Sequence, residues 1–318
     1  MKQAVKLIVV MTVGPIGPTH RLEDILDTIS SVLYYTSPDR KIIIQDNSST
    51  QNVGAQLQQT FPELIVIRTP QNYGLSGGLY KAESLAYLFA HSMFDFQTLI
   101  RMDTDALMIG EGLADDAVRF FQENPNVGQI GTYMIGTNGE ISEFSWPRQQ
   151  LLHEIGIRGK LEDAERAEFL RKLVSQAQAH GYQHGEHIIG GVSILNPRFI
   201  EKLVDQGLLL REELRRSVLQ EDHIYSMLVK AVGMDLGEFG GPAHPLANRW
   251  KGLPASPQQL VDMGKKVIHS VRFWQDMKEP EIREFFRARR NSPEALALAN
   301  GVTLESAYDI SAADGTMQ

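Results

Sequence analysis

The chain has 318 residues, of which 42% are hydrophobic and 22% are charged, and its formal net charge at pH 7 is -8. These values are typical of a globular protein with a substantial core, and the acidic balance argues against broad nucleic-acid binding, which needs a concentrated basic face. The chain contains no cysteine, so disulfides, thiolate zinc sites and cysteine nucleophiles are excluded.

The apolar run at the start of the chain, MKQAVKLIVVMTVG, is short and lacks a small-residue cleavage site. It therefore predicts a first β-strand rather than a secretion signal. No apolar run approaches the roughly 20 residues that a membrane-spanning helix needs. We expect a cytoplasmic location, with the inner face of the membrane as an open alternative.

Strands and helices alternate along the first half of the chain. Continuous β-branched runs predict buried strands, and apolar residues at helical spacing predict helices between them. This alternation predicts an α/β fold with a mostly parallel sheet and helices on both faces. In chain order we expect a strand at 6–13, a helix at 21–35, a strand at 41–49, a short helix at 52–60, a strand at 63–70, a helix from Gly77 to His91, a strand at 97–103, a helix at 112–123 and a strand at 127–134.

The second half has a less regular pattern. The tail from Asn291 contains four acidic residues and no lysine or arginine, and we expect its end to be mobile. Before the tail, the pattern predicts strands at 140–146 and 187–195 and helices at 161–180, 197–205, 219–232, 257–278 and 279–290.

Aromatic and basic residues are mixed in the segment 267–290. One interpretation is a helical appendage that packs on the core or on a partner subunit, which would make the protein a homo-oligomer. The other is a surface that lies on a membrane. We favour the first.

Polar or glycine-rich segments follow the predicted parallel strands. Ligands of open parallel sheets bind beyond the carboxyl ends of the strands, so these segments are the first candidates for a binding site. They are Thr12-Val13-Gly14, Asp46-Asn47, QNYGLSGG at 71–78 and Asp103-Thr104-Asp105.

Asp103 and Asp105 lie one residue apart directly after the buried run QTLIRMD. Carboxylates at this spacing suit a hard cation such as Mg²⁺ or Mn²⁺, which shares its remaining positions with substrate phosphates. A D-x-D triplet arises about once by chance in a chain of this length. Its place at the end of a buried strand is what favours a metal site.

Two other strand ends allow both a functional and a structural interpretation. The glycines of NYGLSGG, at 72–78, allow a close approach to a ligand, and the helix that follows offers N–H groups to a phosphate; a plain loop is the alternative. Asp46 is either an acceptor for a nucleotide base or ribose, or the first residue of an Asx-turn or helix cap.

Two further candidates lie in the second half. Asp222, in Glu221-Asp222-His223, begins a predicted helix, where it either matches the helix dipole or serves as a general base. His244, between two prolines in GGPAHPLANRW, is either a metal ligand or phosphate contact, or an exposed residue without a role.

Taken together, these segments resemble the GT-A glycosyltransferases of the large inverting family called family 2. The resemblance covers about residues 5–250 and depends on five motifs in the expected order. They are IIIQDNSS, NYGLSGG, IRMDTD, IIGGVSILNPRFI and LQEDHIYSMLV.

The resemblance implies that the protein moves a sugar from a nucleoside-diphosphate sugar, with a UDP- or dTDP-sugar as the expected donor. Thr12 would line the base pocket and Asp46 would contact the base. Lys81 would contact a phosphate. The full set of donor-binding residues that we expect is Thr12, Asp46, Asn72, Gly77, Gly78, Lys81 and Asp103.

For the chemistry, the resemblance implies that Asp103 and Asp105 hold Mn²⁺ or Mg²⁺ and that His244 completes the metal site. Asp222 would deprotonate the acceptor hydroxyl, and the displacement would invert the anomeric carbon. The expected acceptor is a saccharide or a lipid-linked acceptor, in bacterial polysaccharide or glycoconjugate synthesis.

The resemblance also divides the chain. Residues 1–135 would form the nucleotide-sugar-binding half of one GT-A domain, residues 136–255 the acceptor-binding half, and residues 256–318 a C-terminal helical segment and tail. The alternatives are a retaining GT-A glycosyltransferase, a nucleotidyltransferase, and an inactive protein that binds nucleotide sugars.

Overall fold

The structure, a computed structural model, describes residues 2–18 and 20–292. The part of the predicted mobile tail that begins at residue 293 lies outside the described residues. Apolar β-branched runs form most of the strands, as the sequence predicts. The strands are β1 (Gln3–Val13), β2 (Arg40–Asp46), β3 (Ile65–Arg68), β4 (Phe94–Met102), β5 (Leu107–Met108), β6 (Val127–Gly131), β7 (Val192–Leu195), β8 (Asp235–Glu238), β9 (Leu246–Asn248), β10 (Val267–His269), β11 (Phe273–Trp274) and β12 (Met277–Lys278).

Helices cover the sheet and connect its strands. None of the helices in the described part of the chain is long and apolar enough to cross a membrane. The helices are α1 (Leu22–Tyr35), α2 (Val53–Thr60), α3 (Gly77–Met93), α4 (Leu113–Glu123), α5 (Ser145–Ile155), α6 (Ile157–Glu162), α7 (Ala164–Ala179), α8 (Pro197–Asp205), α9 (Glu212–Arg215), α10 (Glu221–Ala231), α11 (Pro257–Asp262) and α12 (Glu279–Arg290).

Seven strands form the main sheet, in the order β3-β2-β1-β4-β7-β6-β8. Neighbouring strands are parallel except around β7, which is antiparallel to both β4 and β6. The predicted α/β fold with a mostly parallel sheet and helices on both faces is therefore confirmed. The chain runs from β1 to β2 and β3 on one side and returns to β4 on the other. Such a switch in direction opens a crevice at the carboxyl ends of the strands.

Buried side chains form a hydrophobic cluster on each face of this sheet. One cluster joins α3, α7 and α10 to the sheet, and the other joins α1, α2 and α4. A third cluster lies under the small sheet β5-β10-β9 and includes Ile282 and Phe286 of α12. Helix α12 therefore packs on the core, as we expected for the segment 267–290.

Four predicted elements of the second half are wrong in part. Residues 140–146 do not form a strand: Ile141 makes only an isolated bridge with Ile135, and helix α5 begins at Ser145. The helix predicted at 161–180 divides at Asp163, whose carboxylate accepts the Arg166 N–H and begins α7 as a new helix. The strand predicted at 187–195 is limited to β7.

The largest error concerns residues 257–278, for which we predicted a helix. Helix α11 ends at Asp262, and Gly264 follows with a φ of +70°. Three short strands come next, and β10 pairs with both β5 and β9. The segment from residue 256 therefore contributes β10 to the small sheet and is not a purely helical appendage.

Gly78, in the first turn of α3, provides a test of how the glycine segment packs. A Cβ on Gly78 would lie 1.9 Å from the Tyr73 carbonyl oxygen, whereas a Cβ on Gly17 would meet nothing within 4 Å. We expect Gly78→Ala to lower the free energy of unfolding by about 1–3 kcal/mol, the usual cost of overpacking. Urea denaturation measures this change, with Gly17→Ala as the control. A Gly78→Ala protein as stable as the control would contradict the prediction.

Candidate active site

The Asp103–Asp105 loop leaves β4 at the carboxyl edge of the sheet, and the backbone holds it at both ends. The Asp103 N–H donates to the Gly191 carbonyl at 2.7 Å, and the Val271 N–H donates to the Asp105 carbonyl at 3.0 Å. The Asp103 side chain remains 38% exposed. The loop is therefore fixed from the second half of the chain and still accessible to a ligand.

The two aspartates share a third neighbour, His269, at the end of β10. The His269 Nε2 lies 3.7 Å from Asp103 Oδ2 and 3.4 Å from Asp105 Oδ1. The other oxygen of each carboxylate pairs with an arginine, since Asp103 Oδ1 lies 2.9 Å from Arg101 and Asp105 Oδ2 lies 2.7 Å from Arg272. One oxygen of each carboxylate and one imidazole nitrogen therefore converge on a common point.

This arrangement fits a divalent cation. Neighbouring ligands at bonds of about 2.1 Å in an octahedral site lie roughly 3 Å apart. The His269 nitrogen lies 3.4 and 3.7 Å from the two carboxylate oxygens, so a small approach of these side chains would let them bind one ion. Two carboxylate oxygens with one imidazole nitrogen suit Mn²⁺. The Asp105 carboxylate is ready to bind a cation. Burial raises its pKa, but the neighbouring His269 and Arg272 lower the pKa by a larger amount and hold it well below its usual range.

Beneath the loop, the buried Arg101 guanidinium joins three carboxylates. Its Nε donates to Glu83 at 2.7 Å, and its Nη2 lies 2.9 Å from both Glu221 and Asp103. Burial raises the pKa of Glu83 and Glu221, and Arg101 opposes this effect. Arg101 thereby links the Asp103 loop to the first residue of α10, next to Asp222.

Asp222 is held by two backbone N–H groups. Its Oδ2 accepts the Gly190 N–H at 2.9 Å, and its Oδ1 accepts the His223 N–H at 2.9 Å. Burial raises the pKa of Asp222, but the neighbouring His223, His187 and Arg101 lower the pKa by a larger amount. The net shift is therefore downward. The carboxylate is therefore ionised at neutral pH.

Gly190 and Gly191 allow Asp222 to lie close to His269, the neighbour of Asp103 and Asp105. A Cβ on Gly190 would lie 2.8 Å from Asp222 Oδ2, and a Cβ on Gly191 would lie 2.3 Å from the His269 ring. Gly191 also has a φ of +98°, which disfavours other residues. Only a chain without side chains at these two positions can pass between Asp222 and His269.

Two histidines adjoin Asp222. The His187 and His223 ring centroids lie 4.3 Å apart, and the half-exposed Trp146 ring lies 5.6 Å from that of His223. The His187 Nδ1 lies 2.9 Å from the Gly185 carbonyl, which orients the ring. Burial lowers the pKa of His223 to about 4, so its imidazole is neutral at pH 7.

On the donor side, the structure favours the structural interpretation of Asp46. Its side chain is fully buried, and its two carboxylate oxygens accept the Ser48 and Gly54 N–H groups at 2.9 Å. By contrast, no hydrogen-bond partner exists among the described residues for the side chains of Thr12 and Gln45, which are paired across β1 and β2. These two side chains therefore have free hydrogen-bonding capacity at the strand ends.

The two glycines of the glycine segment pack against backbone. The Gly77 N–H donates to Ser217 and the Gly78 N–H donates to Leu75, so neither N–H is free for a phosphate. The exposed Asn72 orders the loop by accepting the Gly74 N–H at 2.7 Å. These contacts favour the plain-loop alternative for Gly77 and Gly78.

Two basic candidates are also engaged elsewhere. The Lys81 ammonium pairs with Glu212 and lies 5.1 Å from the Tyr73 ring centroid. The His244 ring lies beside Phe239, with ring centroids 6.1 Å apart. Among the described residues, the histidine grouped with Asp103 and Asp105 is His269, not His244.

Sequence reasoning missed His269 and Arg101, and it took His187 as a structural or surface residue. Residues 267–269 are Val-Ile-His, a short β-branched run that ends in a potential metal ligand. This run indicates a strand, but we predicted a helix over 257–278 and did not consider His269. Arg101 lies inside the apolar run QTLIRMD, where a charge needs buried partners. That local anomaly was visible in the sequence.

One family model matches part of the chain. Residues 18–168 match the model of Glycosyl transferase family 2. This range includes Asp46, Asp103 and Asp105 but ends before Asp222 and His269. No curated protein matches the chain.

Solved structures show only distant similarity. The apo structure of the bifunctional glycosyltransferase WbbM has 11% sequence identity to this chain and a TM-score of 0.43. The match covers 95% of this chain and 52% of WbbM, so this chain spans about half the length of that WbbM chain. Residues 1–349 of S. aureus TarS have 16% identity, and the same protein in complex with UDP has 15%; both have a TM-score of 0.42 and coverages of 95% and 76%. Similarity at this level supports no inference about ligands or activity.

The buried neutral His223 predicts loss of stability in acid. Its pKa is about 4 in the folded protein and about 6.5 when unfolded. Because the unfolded chain binds the proton more tightly, stability falls as pH falls from 6.5 towards 4, by about 2 kcal/mol between pH 7 and pH 5. Urea denaturation at both pH values should show this loss in the wild type and a smaller loss in His223→Gln. Equal losses in the two proteins would contradict the assignment to His223.

Proposed function

We propose that the protein transfers a sugar from a nucleoside-diphosphate sugar to an acceptor hydroxyl with inversion. The match of residues 18–168 to the model of Glycosyl transferase family 2 supports this proposal. One observation carries the proposal. Asp103, Asp105 and His269 lie close enough together to hold one cation, and the Gly190–Gly191 pair lies between the ionised Asp222 and His269. A cation site beside a carboxylate base is what an inverting transfer from a diphosphate leaving group needs.

In this proposal, Asp103, Asp105 and His269 hold Mn²⁺ or Mg²⁺, and His269 takes the place that the sequence suggested for His244. When bound, the cation neutralises charge on the departing diphosphate. Arg272, which is 65% exposed and paired with Asp105, is a further cationic group at the same edge. These groups together offset the charge that develops as the diphosphate leaves.

Asp222 acts as the general base. Its lowered pKa keeps it ionised, so it can accept the proton of the acceptor hydroxyl as the oxygen attacks the anomeric carbon. The new bond forms on the face opposite the diphosphate, the bond to the diphosphate breaks, and the configuration inverts. The proton remains on Asp222 until solvent removes it.

The proposed contacts to the donor are Thr12, Asn72, Lys81 and Asp103. Asp46 is left out, because both of its carboxylate oxygens accept backbone N–H groups. Lys81 must exchange Glu212 for a phosphate when the donor binds. We propose a UDP- or dTDP-sugar as the donor and a saccharide or lipid-linked molecule as the acceptor.

The choice between His269 and His244 gives a test of donor and metal binding. In the presence of Mn²⁺, UDP or dTDP should raise the Tm of the wild type and of His244→Gln. The rise should be lost in His269→Gln and Asp105→Asn, because each variant lacks a residue that would hold the cation. At a hundredfold excess over its Kd a ligand adds about 2.7 kcal/mol of stability, which thermal denaturation detects.

The reverse pattern, with the rise lost in His244→Gln and kept in His269→Gln, would restore His244 as the ligand. No rise in the wild type with UDP, dTDP or a panel of nucleotide sugars would overturn the proposed donor class.

The role of Asp222 is tested by Asp222→Asn. We expect kcat to fall by roughly 10²–10⁴-fold, the usual contribution of a general base, while the Kd for the nucleotide is unchanged. Turnover is measured as donor hydrolysis and as transfer to a panel of saccharide and lipid-linked acceptors. Asp235→Asn is the control, since Asp235 pairs with Lys230 at a distance from this chemistry.

An unchanged kcat in Asp222→Asn would remove the proposed role. The anomeric configuration of the product, determined by NMR, separates inversion from retention. A retained configuration would favour the retaining alternative and would leave the metal site intact.

A further inference from the structure

Helix α12 places an arginine under the Asp103–Asp105 loop. The Arg283 side chain is 1% exposed, and its Nη2 donates to the backbone carbonyl of Thr104 at 3.1 Å. Thr104 is the residue between the two aspartates. The last described helix of the chain therefore contacts the loop at its central peptide group.

The same carbonyl has a second hydrogen-bond donor. The Thr28 hydroxyl of α1 lies 2.7 Å from the Thr104 oxygen and 3.0 Å from the Ala106 oxygen. Arg283 Nη1 in turn lies 3.2 Å from both the Thr28 hydroxyl and Asp27 Oδ2. The path of the loop is thus fixed from below by two donors on two different helices.

Buried ion pairs keep Arg283 in this place. Its Nε donates to Glu279 at 2.8 Å, and Asp27 also pairs with Arg287 and Arg290 of the same helix. A buried guanidinium is tolerated only when its donors are satisfied, so its direction is determined by these partners. Burial of Ile282 and Phe286 beside Leu107 fixes the helix itself.

Because two carboxylates held close together repel each other, a cation site of this kind needs support from the residues around it. We propose that Arg283 is a positioning residue for the cation site. By holding the Thr104 carbonyl, it keeps the Asp103 and Asp105 oxygens at the separation that a divalent cation needs. This inference rests on the proposed function, because it assigns Arg283 to the same site.

The test is Mn²⁺ binding without any donor, measured by electron paramagnetic resonance of free Mn²⁺, together with the Tm. Arg283→Met removes the donors and keeps the length of the side chain. We expect its Kd for Mn²⁺ to rise roughly ten- to hundredfold, the usual effect of losing a group that orients metal ligands. Arg283→Lys, which keeps the charge but not the paired donors, should bind with intermediate affinity.

Arg166→Met is the matched control. Arg166 is also buried, pairs with Glu154 and donates to a backbone carbonyl, that of Arg216. It should lose Tm as Arg283→Met does and keep the wild-type affinity for Mn²⁺. If both variants lose Tm and both keep wild-type affinity, Arg283 is only structural and the proposal is overturned.

Thr28→Val provides a test if Arg283→Met does not fold. It keeps the shape of a buried side chain and removes the other donor to Thr104, so the same proposal predicts a weaker Mn²⁺ affinity with a smaller change in Tm. Unchanged affinity in both Thr28→Val and Arg283→Lys would overturn the proposal. Failure of the wild type to bind Mn²⁺ would overturn the cation site as well, which distinguishes the two outcomes.

Discussion

The candidate site depends on one buried guanidinium. Arg101 lies at the end of β4 among Glu83, Glu221 and Asp103, and without it the carboxylates of Glu83 and Glu221 would be buried with no counter-charge beside the part-exposed Asp103. Burial lowers the pKa of Arg101, but Asp103, Glu83 and Glu221 more than offset this effect, so the charge is retained. The three carboxylates belong to α3, α10 and the Asp103 loop. The single guanidinium of Arg101 therefore fixes these three elements relative to each other.

A second constraint is the passage of the chain between the two acidic groups. The Gly190–Gly191 pair donates to Asp222, accepts from Asp103 and lies against His269. Side chains at these positions would separate the proposed base from the cation site. The separation of Asp222 from the proposed cation site is thus determined by backbone.

The C-terminal segment completes the site and is not an addition to a finished domain. Strand β10 supplies His269, the loop after it supplies Arg272, and α12 supplies Arg283 under Thr104. All three come from residues beyond the range that matches the family model. The proposed cation site is therefore assembled from the range that matches the family model and from residues beyond it.

The sequence by itself determined the alternating elements of the first half, the acidic pair at the end of β4 and the place of Asp222 at the start of α10. These features follow from periodicity and strand ends, which are local in the chain. Only the tertiary structure decided that His269, not His244, lies beside the acidic pair. It also decided that Asp46, Gly77 and Gly78 form hydrogen bonds with backbone groups, and that residues 257–278 contain strands. Each of these depends on which distant side chains and strands meet, and local patterns do not encode such partners.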